Sequence, residues 1–265
     1  MRMPNFALDD YRTLINGFQQ AGYDIRKVSA MSDLSLSRVL FLRHDIDFHL
    51  YGVNTIAEAE KDLGCYATYY VLLTGYYNAL CPENTQILRA LVDIGHEIGL
   101  HYDLECYPRD VEQSLTRLRR DTNILSDVIG QPVRTISTHE PFRFPDPFLT
   151  LDGYLHPQDP RLQEGLTFVS DSCRMWRDET LLRCFGSDPP NRVLLTTHPE
   201  LWLDGSVNDR PDYLMKVVLS NATHQLRDYL EKRGPIWERH RPDPKQGRGP
   251  RKGSAIAKRS LGSEV

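Results

Sequence analysis

Arg38-Val-Leu-Phe-Leu-Arg-His-Asp-Ile-Asp47 is a compact apolar run that ends in two acids. Its apolar part, Arg38 to Arg43, has the length and residue types of a strand. Downstream, Val53 to Leu63 has helical period and is closed by Gly64, and Tyr66 to Leu73, rich in Tyr, Val and Thr, reads as a second strand. The same alternation continues: a helix over Glu83–Ile94 closed by Gly95, a short strand over Glu97–Leu100, and a long amphipathic helix over Val111–Ile129 that ends at Gly130. Strands follow at Val133–Thr138, Leu166–Ser170 and Arg192–Thr197, then a helix over Tyr213–Lys232 closed by Gly234. Upstream, Leu8–Ala21 places Tyr11, Leu14, Ile15 and Phe18 on one helical face, with Gly22 as its stop. Strands that alternate with helices of this length pair in parallel, because a parallel strand needs a long crossover. The pattern predicts an α/β barrel or an open doubly wound sheet.

The chain has 265 residues, 40% hydrophobic and 26% charged, with a net charge of −4. That composition excludes a disordered chain, collagen and a disulfide mini-scaffold. No apolar run approaches the ~20 residues of a membrane span, and Met1 to Asp10 lacks the apolar segment of a secretory signal. Five cysteines, an odd number with no Cys-x-x-Cys pair, read as free thiols in a reducing compartment, which favours the cytoplasm. Residues 1–237 read as one catalytic body. Residues 238–265 carry eight Lys/Arg against three Asp/Glu, which leaves a net −9 on the body. This Pro-, Gly- and Ser-rich tail reads as solvated and disordered. Contact with a nucleic acid or another anionic surface is its sharper alternative, and the acidic body argues against nucleic-acid binding in general. Neither a Gly-x-Gly-x-x-Gly nor a phosphate-loop motif is present.

The chemistry lies in what ends each strand. His-Asp-Ile-Asp47 closes the first, His101-Tyr-Asp103 a later one, His139-Glu-Pro141 the next, then Asp171 and finally His198-Pro199. In parallel strands these ends share one face of the sheet, where catalytic groups of α/β barrels gather. Asp45 and Asp47, two apart on extended chain, point to the same side. Two carboxylates facing one volume repel unless a cation or a proton intervenes. A metal resolves the conflict if one acid ligates while the other hydrogen-bonds a water. His101 and His139 are candidate imidazole ligands, and two His with one Asp leave positions open for water and substrate. His44 points to the opposite side, and His96 and His156 have structural readings.

Four blocks resemble the polysaccharide deacetylases of the NodB-homology group: Leu42-Arg-His-Asp-Ile-Asp47, Gly95-His-Glu-Ile-Gly-Leu-His101, Phe168-Val-Ser-Asp-Ser172 with Trp176, and Leu194-Leu-Thr-Thr-His-Pro199. They stand in the family's order over Arg38 to about Trp202. The resemblance implies a distorted (β/α) barrel of about seven parallel strands. It also implies one divalent metal, commonly zinc, and removal of an acetyl group from an N-acetylated sugar. On the matched positions Asp45 becomes the base, Asp47 and His101 metal ligands, and His198 the acid that protonates the departing nitrogen. Asp171 would orient His198. The family's second motif continues His-x-x-x-His, whereas Glu105 stands four residues after His101. The third ligand is therefore His139, Glu105 or Asp103, with His139 preferred because it ends its own strand. Arg143 would stand in for a family arginine as partner of Asp45 or Asp171, or is simply a loop cation; Tyr102 offers a backbone N–H to the substrate, and Trp176 and Trp202 offer flat faces to a sugar ring. Two other functions share the scaffold: hydrolysis of a cyclic amide or ureide, and carbohydrate binding without catalysis.

Overall fold

The structure, a computed structural model, describes residues 3–176, 179–203, 205 and 210–239. Among them seven strands form one sheet: β1 (Asp24–Arg26), β2 (Val39–Ile46), β3 (Thr68–Leu72), β4 (Glu97–Tyr102), β5 (Ile136–Thr138), β6 (Leu166–Ser170) and β7 (Arg192–Thr197). Every pairing is parallel, in the order β5-β4-β3-β2-β7-β6. β1 pairs with Val39–Phe41 of β2, and β3 pairs further along, with Arg43–Ile46. The sheet curls into a distorted barrel open between β5 and β6. Residues that follow β5 and residues of β6 line the same cavity.

Helices α1 (Leu8–Gln20), α2 (Val53–Asp62), α3 (Pro82–Asp93) and α4 (Val111–Ile129) cover the convex side. A short α5 (Thr180–Arg183) packs near β6. The period of two along each strand sorts the side chains. Leu40, Leu42 and Ile46 of β2, Val71 of β3, Ile98 and Leu100 of β4, and Val193 and Leu195 of β7 join the helices in the main core. Val39, Phe41, Tyr70 and Leu194 point the other way, into a smaller apolar cluster with Val28 and Met31 at the bottom of the barrel. Gly99 is required where β4 packs against β3: a Cβ there would lie 2.5 Å from the Tyr70 ring and 2.6 Å from Thr135 Oγ1.

The chain divides into two compact units, Met1–Asn221 and Ala222–Val265, and the boundary falls inside the last helix, α6 (Arg210–Arg239). α6 runs past Gly234 and Pro235. A glycine costs a helix interior only about 1 kcal/mol, so it is a weak stop without an αL cap to follow it. The basic tail from residue 240 lies outside the described residues. β1 escapes the sequence pattern because three residues carry no usable period. Among the described residues no disulfide joins Cys65, Cys81, Cys106 or Cys184. Among the described residues no helix is long and apolar enough to cross a membrane.

Candidate active site

The alternation that buries Leu40 and Leu42 against the helices turns Arg43, Asp45 and the following Asp47 into the barrel. There they meet His101 from the end of β4, His139 just past β5 and His198 just past β7, around a cavity of about 280 Å³. His44, between them, faces the helices and contacts Glu60 of α2 at 2.6 Å and Thr197 at 2.8 Å.

Asp47, His101 and His139 each present one ligand atom, all within 4.8 Å of one another. Asp47 Oδ1 lies 3.6 Å from His101 Nε2 and 3.3 Å from His139 Nδ1, and the two ring nitrogens are 3.2 Å apart. Asp47 Oδ1 is buried yet makes no hydrogen bond. A buried carboxylate oxygen without a donor, facing two imidazole nitrogens, suits a divalent cation, and this donor set suits zinc and its neighbours. His101 Nδ1 lies 3.0 Å from the Ser137 carbonyl. A proton on Nδ1 donated to that oxygen leaves the Nε2 lone pair toward Asp47, as metal-ligating histidines require. The carboxylate is held below its usual range: burial opposes ionisation, but the close approach of His139 and the charges of His198 and His101 outweigh it.

One side of this cluster is Asp45. Arg43, two residues earlier on the same strand, donates to both its oxygens, Nε to Oδ1 at 2.7 Å and Nη2 to Oδ2 at 2.8 Å. Both residues are buried. Burial alone would raise the Asp45 pKa, and the Arg43 charge together with His101 lowers it instead. Asp45 Oδ2 is 3.7 Å from His101 Nε2, so the carboxylate borders the cation position without joining the triad.

The other side is His198. Its Nδ1 meets Asp171 Oδ1 at 2.6 Å, and its backbone N–H donates to Asp171 Oδ2 at 3.0 Å. Trp202 Nε1 donates to that same Oδ2 at 2.7 Å, so Asp171 is fixed in turn. His198 Nε2 points inward, 3.5 Å from Asp47 Oδ2. Burial disfavours the imidazolium, but Asp171, then Asp47 and Asp45, push the pKa up to about 10. Glu200, two residues on and fully buried, accepts from the N–H groups of Asp47 (3.0 Å) and Phe48 (3.2 Å). Neither Arg43 nor Glu200 stands out in the sequence. The two-residue spacing of Arg43 and Asp45 could have signalled the first.

Several expected site residues stand elsewhere. Tyr102 points its ring to the helix side, since it alternates with His101, and its hydroxyl bonds Thr138, His156 and the Leu149 N–H. Its backbone pairs with Thr138 in the sheet. Arg143 reaches neither Asp45 nor Asp171. It pairs with Glu105, with Glu140 at 3.0 Å and with Asp103 at 3.8 Å. Glu105 is thereby turned outward, 68% exposed, and Asp103 accepts the Glu105 N–H, so neither approaches the triad. Trp176 stacks on Phe6 at 6.0 Å, and Trp202 packs on Phe6 and Tyr11, because their large apolar faces are used in packing. The aromatic surface at the cavity comes from shorter rings: Phe48, stacked on Tyr76 at 5.8 Å, with exposed Phe142 and Phe168.

No family model matches the chain. No curated protein sequence matches it either. Among solved structures it is similar to IcaB from Ammonifex degensii, at 16% identity over 52% of this chain and 68% of that one, with a TM-score of 0.43. It is also similar to the chitin deacetylase from the fungal pathogen Colletotrichum lindemuthianum, at 15% identity over 70% of this chain and 83% of that one, TM-score 0.41. A third similar structure is BA3943, a CE4 family pseudoenzyme from Bacillus anthracis, at 15% identity, TM-score 0.38; 67% of this chain aligns with 59% of that one, about three fifths of its length.

Proposed function

We propose that the protein is a metal-dependent hydrolase that removes the acetyl group from an N-acetylated sugar or a sugar-bearing precursor. The observation that carries this reading is the convergence of three groups on one cavity: the Asp47–His101–His139 triad, Asp45 clamped by Arg43, and His198 backed by Asp171. Asp47, His101 and His139 would hold the cation, with zinc the natural occupant of two imidazoles and a carboxylate. Bound there, a divalent ion polarises an amide carbonyl and lowers the pKa of a water.

The remaining steps belong to the chain's own side chains. Asp45, kept ionised by Arg43, accepts the proton of the attacking water as the amide carbonyl carbon is attacked. His198 holds a proton on Nε2, faces the cavity and donates it to the departing nitrogen, which as an unprotonated amide anion would not leave. Asp171 keeps His198 Nδ1 protonated and the ring in place. Phe48, Phe142 and Phe168 offer flat apolar faces at the mouth, which suit the C–H face of a sugar ring. A pure binder has no use for an ionised base on one side of a cation site and a protonated imidazole on the other. The free thiols favour action in a reducing compartment.

The test is acetate release from N-acetylated oligosaccharides and sugar conjugates by protein stripped with chelator and reloaded with Zn²⁺. Activity should vanish with the metal and return with it. Asp45→Asn should keep its metal and lose turnover by roughly 10²–10⁴-fold. Equal acetate release by stripped and reloaded protein, or by the Asn variant, would dispose of this mechanism.

A further inference from the structure

We propose that Glu200 is a positioning residue: by accepting the N–H groups of Asp47 and Phe48, its carboxylate fixes the turn after β2 and so aims Asp47 at the cation. The inference rests on Asp47 as a ligand of that cation. β2 and β7 are neighbours, and their register ends at His44 opposite Thr197. Beyond it the two chains part, β2 into Asp47 and Phe48, β7 into His198 and the turn Pro199–Leu201. The first amides past the end of a strand need acceptors if they are to be buried. Glu200 Oε1 supplies one for both, at 3.0 and 3.2 Å, so a side chain takes over where the ladder stops. The turn that carries Glu200 is itself held, since Tyr213 donates its hydroxyl proton to the Glu200 carbonyl at 2.6 Å.

Two features mark this acid as more than packing. Glu200 Oε2 is buried and makes no hydrogen bond, a state that costs about 1–3 kcal/mol. Folds keep such groups where position matters. The same short segment also carries His198, whose Nε2 stands 3.5 Å from Asp47 Oδ2. Glu200 thus ties together the two cavity residues that come from different strands, the ligand and the proton donor. It touches neither the cavity nor a reacting atom, and acts only through the Asp47 backbone.

The test compares Glu200→Asp with Glu200→Gln in metal-free protein titrated with Zn²⁺ by calorimetry, with hydrogen exchange of the Asp47 and Phe48 amides as a second readout. Asp keeps a carboxyl group but withdraws the acceptor by one methylene. It should weaken Zn²⁺ binding roughly 10–100-fold, the usual cost of losing a partner behind a ligand, and speed exchange of those two amides while the rest of the sheet stays protected. Gln removes the titratable carboxyl but keeps a carbonyl oxygen at the same reach, and should hold Zn²⁺ within about threefold of wild type with the amides still protected. Wild-type affinity in the Asp variant, or a loss beyond tenfold in the Gln variant, overturns the proposal, and the Gln arm stands even if the Asp variant fails to fold. Failure of the deacetylase reading is distinguishable, because it would appear as absent acetate release in wild-type protein that still binds Zn²⁺. Wild-type protein that takes up no Zn²⁺ overturns both.

Discussion

Asp45 can accept a proton near neutral pH only while its carboxylate is ionised and held still, and Arg43 supplies both conditions. A guanidinium fork fixes two oxygens at once, whereas an ammonium is a point charge on a flexible stem. Arg43→Lys should therefore keep Asp45 ionised but loosen its aim, with kcat down about 10–100-fold and bound metal unchanged. Wild-type kcat in that variant would remove Arg43 from the machinery. At His198 the Asp171 carboxylate, followed by Asp47 and Asp45, pushes the pKa up to about 10 against burial. In Asp171→Asn the imidazolium loses its largest stabilising partner, so the proton leaves at lower pH. The basic limb of the kcat profile should move down, and kcat above neutrality should fall. An unmoved limb would assign that limb to another group. Arg43 and Glu200 were hard to read from sequence for one reason. Each acts through a neighbour's carboxylate or backbone, and that geometry exists only after the strands are paired.

Along an element, period was a good guide and charge a poor one. The edges of β6, β7 and α4 follow from apolar spacing and from caps such as Gly130, which sits in αL conformation with φ 74°. The same period of two separated His44 from Asp45 and Asp47. Glu60 on α2 defeats this reading, because an acid in a helix that also carries Glu58 and Asp62 resembles a solvated one. It is fully buried, with Oε1 taking Tyr11 and His44 and Oε2 taking the Tyr69 hydroxyl at 2.7 Å. It thus ties α1, α2, β2 and β3 behind the site. Glu60→Leu strands three buried polar groups and should cost about 3–5 kcal/mol in urea denaturation. A loss under about 1 kcal/mol would mean that the network contributes little. Gly99→Ala should cost about 1–3 kcal/mol by overpacking against Tyr70.

For the whole molecule, protons and metal act on stability in opposite senses. His156 is held neutral: burial is the main cause, the Arg43 charge adds to it, and together they push its pKa down to about 3. His96 is lowered as well, again chiefly by burial. The unfolded chain binds these protons at the ordinary histidine pKa near 6.5, so the stabilisation is complete above that pH and is lost as pH falls toward 3. The unfolding free energy from urea denaturation should drop between pH 7 and pH 4 by an amount on the order of a few kcal/mol, and His156→Gln should flatten that slope. A cation bound only by the folded state works the other way. At a hundredfold excess over its Kd it adds about 2.7 kcal/mol, which is roughly 5–10 °C in Tm for a chain of this size. The rise should require all three ligands, although they come from three separate strand ends. His139→Ala should therefore abolish the Zn²⁺-dependent gain and lower metal stoichiometry, whereas Glu105→Ala, which alters an outward-facing acid paired with Arg143, should leave both intact. The reverse pattern would move the third ligand from the end of β5 to the segment after β4.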